Sequence, residues 1–127
     1  MVNRRKAIYQ SVEEVPVWML AHKLALLIYK ITKIFPRDEL YGLISQLRRA
    51  ALSIPANIAE GFYRNTTKEL IQFLYTSRGS YGEVMYYLRF AYDLGYLNLE
   101  SYENIKDEYT KLGKQLNGWI KSLKKNI

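Results

Sequence analysis

Apolar residues recur every three or four positions through most of this chain, which is the spacing of one face of an α-helix. The first such stretch begins near Pro16, since proline is favoured in the first turn of a helix. It ends before Pro36, because the residue that precedes a proline avoids the α region. Its apolar positions are Val17, Ala21, Leu24, Ile28, Ile31 and Phe35.

The second amphipathic stretch contains a proline. Asp38 can cap its N-terminus, and its apolar positions are Leu40, Leu43, Leu47, Ala51, Ile54, Ile58 and Phe62. Pro55 removes the N–H that would bond the Ala51 carbonyl, at a cost of about 3 kcal/mol in a regular helix. A break at Pro55 would usually lose the apolar phase, yet the phase is kept. The pattern therefore predicts one continuous helix, kinked at Pro55, in which Ser53 or Asn57 bonds freed backbone groups.

The third and fourth stretches are bounded by residues typical of helix ends. Thr66 and Glu69 have the spacing of a capping box at the start of the third. Gly95 is suited to end it in the left-handed conformation. Asn98 can cap the fourth, whose apolar positions alternate by three and four as far as Leu123.

Four helices joined by short loops pack as antiparallel neighbours at about 20°. The fold class is therefore all-α: an up-down-up-down antiparallel four-helix bundle over residues 16–127, with residues 1–15 as a basic leader. Gly79 and Gly82 lie inside the third helix and are small enough to let another backbone approach. We expect the kinked part of the second helix to face them.

The composition excludes several kinds of site. Among 127 residues there is no cysteine and one histidine, His22, which nearly excludes thiolate or His-cluster metal sites and Ser/His or Cys/His catalysis. We expect no catalytic residues, metal, cofactor or small-molecule substrate. The longest stretch without a charged residue, 50–59, is far short of the roughly 20 residues that span a bilayer. A cytoplasmic protein that does not enter the membrane is the expectation.

The net charge of +7 and the pI of about 9.5 favour an acidic partner such as a nucleic acid. The candidate contacts are Lys23, Lys30, Lys33, Lys114, Lys121, Lys124 and Lys125. The alternative for the last four is favourable placement at a helix C-terminus together with solubility. Arg4, Arg5 and Lys6 form either a mobile basic arm or a disordered leader.

A stripe of polar residues follows the second helix within an arc of about 80°. Its members are Arg49, Ser53, Asn57, Glu60 and Arg64. A similarly narrow arc of the third helix carries Gln72, Thr76, Ser80 and Glu83. The two stripes predict either an interhelical network of hydrogen bonds and salt bridges that fixes bundle or oligomer geometry, or a ligand site.

Nine segments together resemble a bacterial family of four-helix bundles first named for reading frames inside intervening sequences of 23S ribosomal RNA genes. They are VW at 17–18, AH at 21–22, FPRDE at 35–39, YGL at 41–43, QLRRA at 46–50, SIPANIAEG at 53–61, KE at 68–69, RGS at 78–80 and Glu83. The resemblance covers about residues 15–123, and 46–61 is its most specific part.

The resemblance implies a four-helix protomer that assembles into homo-oligomers, most often ring-like pentamers. Similar in fold is the accessory variability determinant of diversity-generating retroelements, a basic pentameric barrel that binds nucleic acid and a reverse transcriptase. Together with the charge, this favours a non-enzymatic homo-oligomer that binds RNA or another nucleic acid mainly through its backbone. The alternative is a scaffold that docks a partner protein through the polar stripe or the Tyr-rich third helix.

Overall fold

The computed structural model describes residues 8–127, so Arg4, Arg5 and Lys6 of the basic leader lie outside the described residues. Within that range the protein is an all-α bundle of four long helices and has no β-strand. The helices are α1 (Pro16–Thr32), α2 (Leu43–Phe62), α3 (Thr67–Asp93) and α4 (Leu99–Lys125). Short 3-10 turns, Val12–Glu14 and Arg37–Glu39, precede α1 and α2.

Three helix ends use the residues that the sequence predicts. Pro16 is the first residue of α1. The Thr66 side chain accepts a hydrogen bond from the Glu69 N–H at 3.1 Å and so caps α3. The Asn98 side chain accepts from the Ser101 N–H at 2.8 Å and caps α4.

The end of α3 is closed by a glycine in the left-handed region. Gly95 has a φ of +82°, which costs a glycine little because it has no Cβ. Its N–H donates to the Tyr92 carbonyl, and the Tyr96 N–H donates back to the Ala91 carbonyl, each at 2.9 Å. These two bonds are those of a Schellman motif, and they satisfy carbonyls that the helix end would leave open.

The start of α2 differs from the sequence prediction. Asp38 does not cap it, because residues Arg37–Glu39 form a separate 3-10 turn and α2 begins at Leu43. Glu39 takes this role: one carboxylate oxygen accepts from the Leu43 N–H at 3.2 Å, and the other accepts from the Tyr96 hydroxyl at 2.9 Å. The side chain therefore joins the α1–α2 connection to the α3–α4 connection at one end of the bundle.

Successive helices lie side by side in opposite directions. The Arg48 side chain, early in α2, bonds Thr32 at the end of α1. Tyr63, just after α2, accepts from the Val12 N–H through its hydroxyl at 3.2 Å. The core is built from apolar side chains of all four helices together with Val12, Val15, Phe35 and Leu97. Its fully buried members include Leu24, Ile28, Leu47, Ile54, Leu74, Leu88, Tyr109 and Leu112.

Helix α2 continues through Pro55, as the unbroken apolar phase predicts, while the kink there stays a prediction. The expectation that this region faces Gly79 and Gly82 is wrong. Both glycines are exposed, and a Cβ at either would meet no atom within 4 Å. The close approach of α2 and α3 lies instead at Gly61, where a Cβ would lie 2.9 Å from the Phe73 Cβ.

Candidate nucleic-acid interface and polar contact between helices

Small polar side chains link α2 to α3 across their contact. The buried Ser77 hydroxyl donates to the Ile54 carbonyl at 3.0 Å, immediately before the proline of α2. The Ser80 hydroxyl donates to the Ser53 hydroxyl at 2.8 Å. The Asn57 amide donates to the carbonyl and hydroxyl oxygens of Ser53, at 2.8 and 3.0 Å. These bonds satisfy polar groups that would otherwise be buried without partners.

Other members of the predicted stripe are exposed and bond side chains three or four positions away in sequence. Arg49 donates to the Gln46 side chain at 3.2 Å. Arg64 forms an ion pair with Glu60 at 3.2 Å, with about half of each side chain exposed, and its guanidinium lies 4.9 Å from the centre of the Phe73 ring. The stripe thus divides into an inner part that joins two helices and an outer part on the surface.

Glu83 of α3 lies across the boundary between α2 and α3 from Arg49. A polar depression of about 250 Å³ between α2 and α3 is lined by Gln46, Arg49, Ala50, Ser53, Ser80 and Glu83. Among residues 8–127 no ion pair joins Arg49 to Glu83, and each of the three ion pairs in this range joins residues three or four positions apart in sequence.

The lysines predicted on α1 are exposed but scattered. Lys23 lies in the middle of the helix, Lys30 lies in its last turn, and Lys33 follows it. Glu108 of α4 has a lowered pKa because it accepts a hydrogen bond from Lys111 at 2.7 Å, with a smaller contribution from the charge of Lys23. Part of the positive charge of Lys23 is therefore balanced by a carboxylate.

The lysines near the end of α4 share a surface depression with a residue of α3. The depression has a volume of about 430 Å³ and is lined by Arg78, Asn117, Ile120, Lys121, Lys124 and Lys125. Lys114 is also exposed, one to two turns earlier on α4. We call the surface formed by the six lining residues, which do not include Lys114, the basic depression.

Arg78 is the charged member of the basic depression that was not among the predicted nucleic-acid contacts. Its guanidinium donates to the Asn117 side chain at 3.1 Å and lies 5.0 Å from the centre of the Tyr75 ring. The signal for it was present only in the pairing of α3 with α4, which periodicity does not give. Ser77 was missed although it continues the spacing of Leu70 and Leu74, because serine is polar and its partner lies on α2.

Lys30 and Lys33 lie at the opposite end of the bundle from Lys121, Lys124 and Lys125. The end of α1, with Lys30 and Lys33, adjoins the start of α2, as the bond from Arg48 to Thr32 shows. The end of α4 lies beside the first half of α3, as the bond from Arg78 to Asn117 shows. The structure therefore brings Lys121, Lys124 and Lys125 together and leaves the α1 lysines apart from them.

Another depression, of about 460 Å³, lies where α1, α2 and the turn between them meet. It is lined by Tyr29, Leu40, Tyr41, Ile44, Ser45, Arg48, Arg49 and Leu52. Tyr41 is 92% exposed and Leu52 47% exposed. Arg48 bonds the Thr32 hydroxyl at 2.9 Å and lies 4.6 Å from the centre of the Tyr29 ring. We call this surface the tyrosine groove.

Two general properties limit the chemistry of the described residues. None of their helices is long and apolar enough to cross a membrane. Nor does this part of the chain gather three or more His, Asp or Glu side chains into a group that could hold a metal ion.

Comparisons with known proteins agree with the fold. The sequence model of the 23S rRNA-intervening sequence protein family matches residues 13–118. A crystal structure from Bacteroides thetaiotaomicron, described as a protein with unknown function from the S23 ribosomal protein family, matches with a TM-score of 0.76 and 24% identity. That match covers 83% of this chain and 95% of the other, and it shows the fold. No curated protein matches the chain.

Proposed function

Because this chain belongs to the family of 23S rRNA-intervening sequence proteins, we propose that it is a non-enzymatic, homo-oligomeric bundle that binds RNA or another nucleic acid in the cytoplasm. The supporting observation is its excess of positive charge, +7 over the whole chain. Within residues 8–127 the basic side chains in ion pairs are Arg64, Arg89 and Lys111. Most lysine and arginine side chains there thus form no ion pair with a carboxylate of the described residues.

Binding would be through the phosphate backbone. Lysine ammonium groups act as point charges for phosphate and carry no sequence information, so affinity should depend weakly on sequence and strongly on salt. The seven lysines predicted as contacts lie on exposed surface, where a nucleic acid can reach them without a change in the fold.

Homo-oligomer formation is supported by apolar side chains left on the surface of the protomer. Leu26, Ile34, Tyr41 and Tyr86 are each more than half exposed. A protomer that keeps such side chains exposed gains free energy when a second copy covers them. The family resemblance makes a ring-like pentamer the expected assembly. Light scattering at high micromolar concentration tests this, and a clean monomer would contradict it.

RNA binding is tested directly by titrating purified protein into labelled RNA at low salt and then at rising salt. We expect binding that weakens linearly on a log–log plot against salt concentration. The 260/280 nm absorbance ratio of protein purified at low salt gives an independent reading of retained nucleic acid. If no RNA binds at low salt, the nucleic-acid proposal fails.

A protein-interaction scaffold is the second candidate, and the tyrosine groove favours it. Exposed aromatic and aliphatic side chains next to arginines, here Tyr41, Leu52 and Arg48, are typical of surfaces that bind proteins. Binding through such a groove would depend mainly on apolar contact. It would therefore persist at salt concentrations that release RNA.

A further inference from the structure

We infer that the basic depression between α3 and α4 is where the phosphate backbone of a nucleic acid docks, with Arg78 as the positioned anion-binding group. The inference rests on the proposed nucleic-acid function and assigns a place to it. It also predicts that Lys23, in the middle of α1, and Lys30 and Lys33, at the other end of the bundle, contribute much less.

The first step is the uneven distribution of charge along α4. Residues 99–108 contain four acidic residues and one lysine, whereas residues 109–127 contain five lysines and no acidic residue. The helix macrodipole favours cations only within the last turn, where Lys124 and Lys125 lie. It does not account for Lys121, or for Arg78 on a different helix. The same surface therefore gathers more positive charge than stability of α4 requires.

The second step is the way Arg78 is held. Among the described residues, the Arg78 guanidinium donates one hydrogen bond, to the Asn117 side chain at 3.1 Å. The Tyr75 ring lies against the guanidinium. A guanidinium has five N–H donors in a rigid fork, so several remain for a ligand. Because its neighbours already order the side chain, an arriving anion loses less free energy to ordering it. A planar fork of this kind binds phosphate oxygens in pairs.

The third step concerns the shape of the ligand. Lys121 and Lys125 are separated by one helical turn, a rise of about 6 Å. Among the described residues, no carboxylate lines the depression. Cations spread along a groove suit a chain of regularly spaced anions better than a single small ion. A nucleic-acid strand carries one negative charge about every 3.4 Å along a duplex axis. With Arg78, Lys121, Lys124 and Lys125 in the lining, the surface fits a phosphate backbone running along α4.

The test compares two triple variants with equal loss of charge. The first is Lys121→Gln, Lys124→Gln and Lys125→Gln, in the basic depression. The second is Lys23→Gln, Lys30→Gln and Lys33→Gln, on α1. The probe is a fluorescein-labelled oligouridine, and the readout is fluorescence anisotropy over a salt series. All six lysines are exposed, so both variants should stay folded, which circular dichroism melting checks.

We expect the first triple to weaken binding at least about tenfold at low salt and to reduce the salt slope by about 2, since each phosphate contact with a single strand contributes roughly 0.7. The second triple should weaken binding less than about threefold. Equal losses for the two triples would overturn the inference and leave nucleic-acid binding in place. No binding by the unaltered protein would instead contradict the proposed function itself.

Arg78→Lys gives a second reading that total charge cannot explain. The substitution keeps the charge but removes the fork that Tyr75 and Asn117 hold. We expect a threefold to tenfold loss of affinity with a salt slope nearly unchanged. Unchanged affinity would contradict the role given to Arg78. Displacement of the RNA by an equal charge concentration of polyglutamate would show a site for acidic protein and overturn the assignment to phosphate.

Discussion

The contact between α2 and α3 and the outer surface of α3 use the same residue types for different purposes. At Gly61 a Cβ would lie 2.7 Å from the Leu70 side chain and 2.9 Å from the Phe73 Cβ. On the outer surface, a Cβ at Gly79 or Gly82 would meet no atom within 4 Å. One glycine is needed for two helices to meet, and the other two lower helix stability without such a contact in the protomer.

The polar residues divide in the same way. Ser53 and Ser80 bond each other across the helix contact. By contrast, Lys121 and Lys124 of α4 line a depression that lies beside the outer surface of α3 and is open to solvent. The type of a polar residue on an amphipathic helix therefore does not by itself indicate its role. Its role depends on which element lies opposite, so substitutions in the two regions should have effects of opposite kinds.

The largest effect is expected for Gly61→Ala. The added methyl group meets the Phe73 Cβ, which is fixed to the backbone of α3 and cannot move aside, and the end of the fully buried Leu70 side chain. We expect the free energy of unfolding to fall by about 2 kcal/mol, the usual cost of overpacking a well-packed contact. Urea denaturation measures it. An unchanged midpoint would mean that the helices can separate at no cost, and the contact would not be as tight as described.

A smaller loss is expected for Ser77→Ala, which removes the buried hydrogen bond to the Ile54 carbonyl. We expect the free energy of unfolding to fall by about 1 kcal/mol. Thr76→Ala is the matched control, because its hydroxyl bonds the Gln72 carbonyl on the exposed side of the same helix. That change should stay within about 0.5 kcal/mol. Equal effects at the two positions would remove the distinction between the inner and outer faces of α3.

Tyr109→Phe should stabilise the protein. The Tyr109 hydroxyl is buried and has no hydrogen-bond partner among the described residues, so its removal should raise the free energy of unfolding by about 1 kcal/mol. Burial also raises the pKa of Tyr109 above its ordinary value. The folded protein then keeps the phenol protonated at a pH where the unfolded chain has lost that proton.

The sign of the pH dependence follows from this difference. Below about pH 10 the Tyr109 hydroxyl is protonated in both states, and its ionisation adds no pH dependence to stability. As the pH rises further, stability is lost in the unaltered protein but not through this residue in Tyr109→Phe. The gap between their unfolding midpoints should therefore widen above pH 10. A constant gap would contradict the raised pKa.

The smallest effect is expected for Gly82→Ala on the outer surface. Alanine has the higher helix propensity and the new Cβ meets open space, so the free energy of unfolding should rise by about 0.5 to 1 kcal/mol. Thermal unfolding of the single variant measures it. A fall in stability at concentrations where the protein is oligomeric, absent from dilute protein, would show that a neighbouring copy packs closely at this position.

Periodicity and capping residues were sufficient to predict the helices. Thr66, Asn98 and Gly95 end helices as local backbone chemistry requires, because capping depends on residues near in sequence. The prediction for Asp38 was wrong because two neighbouring carboxylates could cap α2. Glu39 is the one that does so, and it also accepts a hydrogen bond from Tyr96, which lies in a distant connection.

Sites made by two helices were harder to predict. The rotation of α3 against α2 and α4 decides that Ser77 faces inward and that Gly79 faces solvent. Ser77 continues the three–four spacing of Leu70 and Leu74, but a serine does not count as an apolar position, so the pattern alone did not place it. Arg78 joins the α4 lysines through this same rotation, so their proximity could not be predicted from the lysine spacing alone.

The short connection between α2 and α3 has a consequence for the order of folding. Only residues 63–66 separate the two helices, and their contacts at Gly61, Ser53 and Ser77 join residues close in sequence. Bringing such residues together closes small loops and costs little chain entropy. The α2–α3 hairpin is thus the part of this chain best placed to assemble first, with α1 and α4 adding to a pair already formed.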